Sequence, residues 1–235
     1  MKLYFYCAFR IFKGRKPSLK SIDNQKVFYI HSDDLYAAVS YTKYNEFSVT
    51  GENIRIHEHI IEEISRKTDI VPFPFNTIAG ETIGKGVLNR NYGKLMEILD
   101  KIGGKDEFII TAEGKTGKNF KKLFNIKSGQ RPGKTLTNDK LMAIGTQKLI
   151  ARLQSELIKE SSDSSFTIME KSDRFFEGRY LVSKEKISKF KQSVKWLKSL
   201  FPEIKISAKG PFPPYDFNPV NIGSEKSQMY GKKFV

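Results

Sequence analysis

The chain has 235 residues, of which 39% are hydrophobic, 12% aromatic and 29% charged. This composition is typical of a folded protein and excludes bulk disorder, and the length allows one large domain or two small ones. The formal net charge of +15 indicates an acidic partner, which is a nucleic acid, a membrane surface or an acidic protein.

Most of the positive charge lies in the second half of the chain. Residues 1–113 hold 16 Lys and Arg against 15 Asp and Glu, and residues 114–235 hold 25 against 11, so the halves carry +1 and +14. The first apolar run ends at Arg10 after about seven residues, which is too short for a membrane span. We therefore expect a cytoplasmic protein without membrane contact. Cys7 is the only cysteine, which excludes an internal disulfide and favours a buried position.

The N-terminal region predicts an α+β domain over residues 1–113. Helices are expected at 53–67 and 88–102, where apolar side chains recur at helical spacing. Short apolar and aromatic runs bounded by turn residues predict strands at 3–9, 27–30, 35–42, 70–75 and 106–113. This order resembles a ferredoxin-like split βαβ unit with an added hairpin strand.

The composition changes after residue 113. Residues 114–138 contain seven Lys or Arg, four Gly, one Pro and no acid, which indicates a basic linker or loop. The tail at 218–235 is polar and has no period, so we expect it to be disordered or to lie along the surface.

Residues 139–217 predict a second, C-terminal α+β domain. It begins with a long amphipathic helix, whose apolar positions are Leu141, Ile144, Leu149, Leu153 and Leu157. A further helix is expected at 187–201, and strands are expected at 166–170, 178–183 and 204–207. The second half therefore repeats the architecture of helices on strands.

The sequence shows no complete motif for catalysis or for metal binding. His57 and His59 point about 200° apart on a helix, and Ile61 stands where the zinc motif H-E-x-x-H needs its second histidine. The run at 128–135 resembles a phosphate-binding loop, but Gly129 and Gly133 enclose three residues where that motif needs four. We therefore predict no catalytic residue, no metal site and no cofactor, and we interpret the two histidines as surface or boundary residues.

Two segments resemble a known family. The first runs from His57 to Glu81, where a His-Glu helix start leads to a strand similar to the family's V-L-P-x-R-F-G-T. The positions that match in order are Val71, Pro72, Phe75 and Thr77. Pro74 stands where an Arg is usual, and Asn76 stands where a Gly is usual.

The second segment, AKGPFPPYDF from Ala208 to Phe217, is similar to the family's G-P-W-P-P-Y-x-F ending. The matching positions are Gly210, Pro211, Pro213, Pro214, Tyr215 and Phe217, with Phe212 in place of Trp. Both segments resemble the F/L family of minor gas vesicle proteins, and the resemblance spans about residues 3–217.

The resemblance implies a two-domain α+β protein that acts as a non-enzymatic assembly factor. Its implied partners are the small apolar shell protein of the gas vesicle and other gas vesicle accessory proteins. No catalytic residue or cofactor comes with the family. The two motifs are implied to bind a partner or to lie at a domain junction.

A nucleic-acid-binding protein is the alternative. The sequence pI of about 9.7 and the aromatic residues Phe120 and Phe124 among lysines favour it, since aromatic rings stack on bases and lysines neutralise phosphates. However, the aromatic signature of RNA-binding sheets is missing. Nucleic acid is therefore an unlikely partner, and the gas vesicle interpretation is preferred.

Overall fold

The computed structural model describes residues 1–12, 14, 16–114, 138–169 and 173–218. It confirms an α+β protein with two sheets. The chain forms two compact units, of which one comprises Met1–Lys105 together with the segment from Phe212, and the other comprises Asp106–Pro211. The first unit is therefore discontinuous in sequence. The linker expected at 114–138 lies, apart from its two end residues, outside the described residues, as does the tail from 219.

The first unit is built on a sheet around a central strand, β1 (Lys2–Arg10). The other strands are β2 (Phe28–Ser32), β3 (Leu35–Thr42), β4 (Ile70–Pro72) and β5 (Ile78–Gly80). Their order is β2-β3-β1-β4, with β5 also paired to β1, and every pairing is antiparallel. The hairpin expected from the sequence at 27–42 is therefore confirmed. All seven residues from Leu3 to Phe9 are buried, because both faces of β1 are covered.

Strands β4 and β5 form one interrupted edge of this sheet. β4 pairs with one end of β1, at Cys7–Phe9, and β5 pairs with the other end, at Lys2–Tyr4. Between them, the N–H of Phe73 donates to the carbonyl of Tyr6, and the N–H of Phe5 donates to the carbonyl of Thr77, both at 2.8 Å. The strand predicted at 70–75 thus ends early, because prolines 72 and 74 cannot donate to a ladder.

Two helices belong to this unit, α1 (Gly51–Ser65) and α2 (Glu81–Ile102). Thr50 caps α1 by accepting a hydrogen bond from the N–H of Asn53 at 3.2 Å. The buried side of α1 carries His57, Ile60, Ile61 and Ile64. Gly103 and Gly104 follow the last residue of α2, and Gly104 has a left-handed backbone (φ +67°), which favours glycine at this position.

The second unit contains strands β6 (Lys105–Glu113), β7 (Asp163–Ile168), β8 (Arg174–Ser183) and β9 (Lys205–Phe212). Its helices are α3 (Asn138–Ile158) and α4 (Ile187–Leu200), with a short 3₁₀ turn before α4. The sheet order is β7-β8-β6-β9. Apolar side chains of both helices and of β6, β8 and β9 form one core. No helix in the described ranges is long and apolar enough to cross a membrane.

The predicted boundary at residue 113 needs correction. Strand β6 lies in the second sheet, between β8 and β9, and the units divide between Lys105 and Asp106. The pattern of an apolar strand is the same in either sheet, so it could not assign β6. The predicted end of the second domain at 217 is also different, because the segment from Phe212 belongs to the first unit.

The last strand is longer than the sequence predicts. The sequence predicts this strand at 204–207, but β9 continues through Gly210 and Pro211 to Phe212. It lies at the edge of the sheet, where a proline without an N–H is tolerated. Gly210 has φ +123°, a value that L side chains rarely adopt.

Candidate functional site

The two family motifs meet in the first unit. The side-chain amide of Asn218 donates a hydrogen bond of 2.7 Å to the carbonyl of Pro72. Burial raises the pKa of the Tyr4 phenol, and Tyr215 lies close enough to add a smaller increase. Residues 146 or more positions apart in sequence therefore belong to one local arrangement around Tyr4 of β1.

Tyr4 is the hub of an aromatic cluster. Its ring centroid lies 5.6 Å from Phe47, 5.7 Å from His57 and 6.3 Å from Phe75, each in an edge-to-face geometry. Edge-to-face packing places the positive ring edge against the negative face, which stabilises each pair by about 0.5–1.5 kcal/mol. The cluster therefore fixes Phe75, a motif residue, relative to β1.

His57 is buried in this cluster, and both of its ring nitrogens are engaged. Nε2 lies 3.1 Å from the carbonyl of Phe73, which only accepts, so Nε2 carries the proton. Nδ1 then accepts from the hydroxyl of Tyr4 at 3.0 Å, and the Tyr4 oxygen accepts from the N–H of Asn76 at 3.1 Å. The chain of hydrogen bonds joins α1, β1 and the first motif, and it leaves His57 no free nitrogen for catalysis or a metal.

Burial lowers the pKa of His57 from 6.5 to about 4. The interpretation of His57 as a surface or boundary residue is therefore wrong. Its position, with Ile60, Ile61 and Ile64 at three, four and seven residues beyond it, is that of the buried face of α1. The helical spacing thus indicated a buried position for residue 57, but histidine was counted as a polar residue. In the part of the chain that the structure describes, no group of three or more potential metal ligands occurs.

We expect the burial of His57 to make stability depend on pH. The pKa of His57 is lower in the folded state than in the unfolded state. Neutral His57 therefore contributes its full share to the free energy of unfolding above about pH 6.5, and this contribution is lost as the pH falls toward 4. The free energy of unfolding falls by about 3 kcal/mol over this range, because a shift of one pKa unit corresponds to about 1.4 kcal/mol. Urea unfolding of the wild type and of His57→Gln at pH 7 and pH 4 measures it.

The comparison isolates His57, because carboxylates titrate equally in both proteins and glutamine does not titrate. The wild type should lose about 3 kcal/mol more than the variant between the two pH values. Equal losses in the two proteins would show that His57 is accessible to protons in the folded state.

Asn76 shapes the turn between β4 and β5. Its backbone is left-handed, with φ +66°, which explains why this sequence can place Asn where the family usually has Gly. Its side chain accepts from the N–H of Phe47 at 2.8 Å and donates to the carbonyl of Phe47 at 2.9 Å. Asn76 thus adopts the left-handed backbone that the turn requires, and its side chain also holds the loop that carries Phe47 through two hydrogen bonds.

Substitution of Asn76 should separate these two roles. Asn76→Gly keeps the backbone conformation and loses the two hydrogen bonds, at a cost of about 1–3 kcal/mol. Asn76→Ala loses the same bonds and adds about 1–2 kcal/mol for the left-handed backbone. Chemical unfolding should therefore rank the wild type above Asn76→Gly and Asn76→Gly above Asn76→Ala. Equal stability of the two variants would contradict the role of the backbone.

The motif residues differ in exposure. Val71, Pro72, Thr77, Pro214 and Phe217 are buried; Phe75, Phe212 and Pro213 are half-buried; and Gly210, Pro211 and Tyr215 are exposed. Thr77 closes its turn by donating from its hydroxyl to the carbonyl of Pro74 at 2.6 Å. Gly210 and Pro211 end the second unit, whereas Phe212 and the residues after it belong to the first.

Four aromatic residues lie around Tyr4, and we call them the aromatic patch. Phe47 and Phe75 contact the Tyr4 ring and Tyr44 contacts Phe47, and Tyr215 lies close enough to Tyr4 to interact with it electrostatically. Tyr44 is 44% exposed and Tyr215 is 37% exposed. Tyr44 packs on Phe47 with ring centroids 5.3 Å apart. The roles of Tyr4, Phe47 and Asn76 could not be predicted, since no local sequence pattern links these three residues. Such exposed aromatic side chains are typical of protein-binding surfaces.

The fold is that of two gas vesicle proteins of known structure. The crystal structure of GvpF from Anabaena sp. PCC7120 matches with a TM-score of 0.74 and 19% identity, covering 94% of this chain and 97% of that chain. The GvpF structure from Microcystis aeruginosa matches with a TM-score of 0.71 and 18% identity, covering 93% of this chain and 99% of that chain. At these identities, the similarity establishes the architecture.

The sequence itself establishes the family. A family model described as gas vesicle synthesis protein GvpL/GvpF matches residues 2–219, and the chain belongs to this family. Gas vesicle protein F1 of Halobacterium salinarum is 24% identical over 211 residues, which is 87% of this chain and 86% of that protein. The resemblance seen in the two motifs is therefore confirmed.

Proposed function

We propose that this gas vesicle protein is a non-enzymatic assembly factor that binds the small apolar shell protein in the cytoplasm, together with other gas vesicle accessory proteins. Family membership supports a role in gas vesicle synthesis. The meeting of the two motifs at the aromatic patch supports binding through the first unit. The patch, rather than a catalytic centre, carries the proposal.

A shell subunit with an apolar face is prone to aggregate in water until it is assembled. The aromatic patch suits such a subunit, because Tyr and Phe side chains bury a large area at a low cost in side-chain entropy. The patch is also held rigidly, since Tyr4, His57 and Asn76 share one chain of hydrogen bonds beneath it. A rigid aromatic surface loses little entropy when a partner binds.

The buried nucleophilic and basic groups beneath the patch do not favour catalysis. Burial raises the pKa of the Cys7 thiol and lowers that of His57 to about 4, so neither is reactive at neutral pH. The alternative of nucleic-acid binding depended on the sequence pI of about 9.7 and on Phe120 and Phe124. These two residues lie outside the described residues.

Binding of the purified shell protein to the double variant Tyr44→Ala and Tyr215→Ala tests the proposal. We expect at least about tenfold weaker binding than for the wild type, as for central aromatic residues of interfaces. The matched control is Phe166→Ala in the second unit, which removes an aromatic side chain that is 52% exposed, and it should bind as the wild type does. Full binding by the double variant would contradict the assignment of the patch.

A further inference from the structure

Strand β7 (Asp163–Ile168) lies at one edge of the second sheet, where the core of the second unit is open. Its side chains Phe166 and Ile168 are 52% and 49% exposed. They lie two residues apart, so both point to the same face of the sheet. The Phe166 ring stacks on the ring of Phe176, with centroids 6.4 Å apart, and Phe176 is buried in the core. The two exposed side chains therefore continue the apolar face of the sheet beyond its covered part.

The backbone of β7 has polar groups that face this open edge. The N–H of Met169 donates to the carbonyl of Phe175 at 3.1 Å, so these residues form a hydrogen-bonded pair of the antiparallel ladder with β8. Hydrogen-bonded and non-hydrogen-bonded pairs alternate along such a ladder, so the N–H and C=O groups of Phe166 and Ile168 point away from β8. No residue in the described ranges forms a hydrogen bond with these outward groups. They are available to a further strand.

The other sheet edges carry features that hinder such pairing. Strands β4 and β5 have three residues each, and β4 ends at Pro72. Strand β9 contains Pro211 and two lysines. Beside the start of β2, the N–H of Val27 donates to the carbonyl of Leu19 at 3.0 Å, so a segment of the same chain lies there. Short strands, prolines, lysines and covering segments all prevent pairing between edges, whereas β7 has six residues and contains neither proline nor lysine.

The charges around β7 are balanced. Residues 164–168 include no charged side chain, and the carboxylate of Asp163 accepts from the N–H of Ser164 at 2.8 Å. On the neighbouring strand β8, the guanidinium of Arg179 lies 2.6 Å from the carboxylate of Glu177. The net charge of +15 therefore lies elsewhere on the chain. Strand β7 offers a partner backbone groups and apolar side chains, which a second copy of the same strand also supplies.

We propose that β7 pairs with β7 of a second copy of this chain, antiparallel and about a twofold axis at Phe166. The outward positions 164, 166 and 168 are symmetric about Phe166, so this pairing places Phe166 opposite its counterpart, and the two residues exchange both backbone hydrogen bonds. The outward carbonyl of Ser164 then accepts from the N–H of Ile168 in the other copy. Opposed aromatic side chains stabilise antiparallel strands, and a symmetric contact of this kind closes after two copies.

Two other classes of partner fit β7 less well. A nucleic acid requires cations that neutralise its phosphates, and residues 164–168 contain none. An extended segment of a different protein would pair with the same backbone groups, but it would not need outward positions that are symmetric about one aromatic residue. The mass of the purified protein in solution separates this case from pairing between two copies.

Sedimentation equilibrium of the full-length protein tests the proposal. We expect a mass that rises with protein concentration from that of one chain to that of two. The association should become tighter between about 0.1 M and about 1 M salt, because the Debye length falls from about 10 Å to about 3 Å and screens the repulsion between two basic chains. Binding of an acidic partner would respond to salt in the opposite direction.

Substitutions at Phe166 test the position of the twofold axis. Phe166→Lys places two cations opposite each other, and association should be at least about tenfold weaker than for the wild type. The matched control is Ile158→Lys at the end of α3, because Ile158 is 49% exposed in the same unit and the change of net charge is the same. A mixture of Phe166→Lys and Phe166→Glu should associate more tightly than either variant alone, since opposite charges then face each other. Trp196, the only tryptophan, reports by its fluorescence during urea unfolding that each variant is folded.

Several results would overturn the proposal. They are a single-chain mass for the wild type at every concentration and both salt levels, equal association of Phe166→Lys and the wild type, and equal weakening by Phe166→Lys and Ile158→Lys. A mixture of the two Phe166 variants that associates no better than either alone would also contradict pairing about Phe166. The proposal does not rest on the proposed function, and because the readout does not involve the shell protein, failure here leaves the role proposed for the aromatic patch unaffected.

Discussion

Replacement of Phe217 with alanine is expected to lower the free energy of unfolding of the first unit by about 3 to 5 kcal/mol. The Phe217 side chain is only 6% exposed, and the segment that carries it belongs to the first unit. The substitution leaves a cavity and loses the transfer free energy of the ring. Cys7 is buried in the same unit and is the only cysteine, so the rate at which its thiol is labelled during urea unfolding reports this unit specifically.

Tyr215→Ala is the matched control for Phe217→Ala. The two residues are two positions apart in the same motif, but Tyr215 is 37% exposed and its replacement should change stability by less than about 1 kcal/mol. The pair thus separates a structural role of the motif from a role in binding. If Phe217→Ala unfolds at the same urea concentration as the wild type, the segment from Phe212 does not stabilise the first unit.

Gly210→Ala is expected to destabilise the second unit by about 4 kcal/mol, from two separate causes. The backbone at Gly210 has φ +123°, and a non-glycine residue in such a strained conformation costs about 1–3 kcal/mol. The new Cβ would also lie 2.7 Å from the carbonyl oxygen of Glu107, and relieving an overpacked contact costs about 1–3 kcal/mol. Because the oxygen belongs to the backbone of β6, it cannot rotate away.

The fluorescence of Trp196 during urea unfolding measures this effect, since α4 lies in the second unit. Gly104→Ala is a useful control, because Gly104 also has a left-handed backbone, φ +67°, but no atom lies within 4 Å of its added Cβ. Because Gly104 belongs to the first unit, labelling of the Cys7 thiol, rather than Trp196 fluorescence, follows the unfolding of this variant. The Gly104→Ala substitution should lower the free energy of unfolding by about 1–2 kcal/mol, because only the left-handed backbone is unfavourable for alanine there. Equal losses for the two variants would mean that the contact with Glu107 contributes nothing.

The elements that could be predicted from the sequence are those whose signal is local. Strand β3 has the predicted bounds, Leu35–Thr42, because an apolar run between turn residues defines it completely. Helix α4 also lies within one residue of its predicted end, because its buried positions recur at helical spacing. The C-terminal end of β9 was missed, since Gly and Pro are usually signs of a turn, whereas an edge strand tolerates both.

The arrangement of the site depends on contacts between distant residues, so the sequence alone could not predict it. The two motifs were recognised, but the bond between Asn218 and Pro72 joins positions 146 residues apart. The roles of Tyr4 and Asn76 likewise depend on the register of β4 and β5 against β1. An apolar pattern predicts that a strand is buried, but it does not predict which strands pair with it. For the same reason, β6 was assigned to the wrong sheet.

The discontinuity of the first unit has a consequence for synthesis on the ribosome. Strand β1 is made first, whereas the segment from Phe212 that completes the same unit is made only after all of Asp106–Pro211. At the usual rate of about 5–20 residues per second, translation of Asp106–Pro211 alone takes roughly 5 to 20 seconds. A nascent chain that has not been translated as far as Asn218 therefore lacks part of the first unit, and we expect the aromatic patch to be complete only after that point.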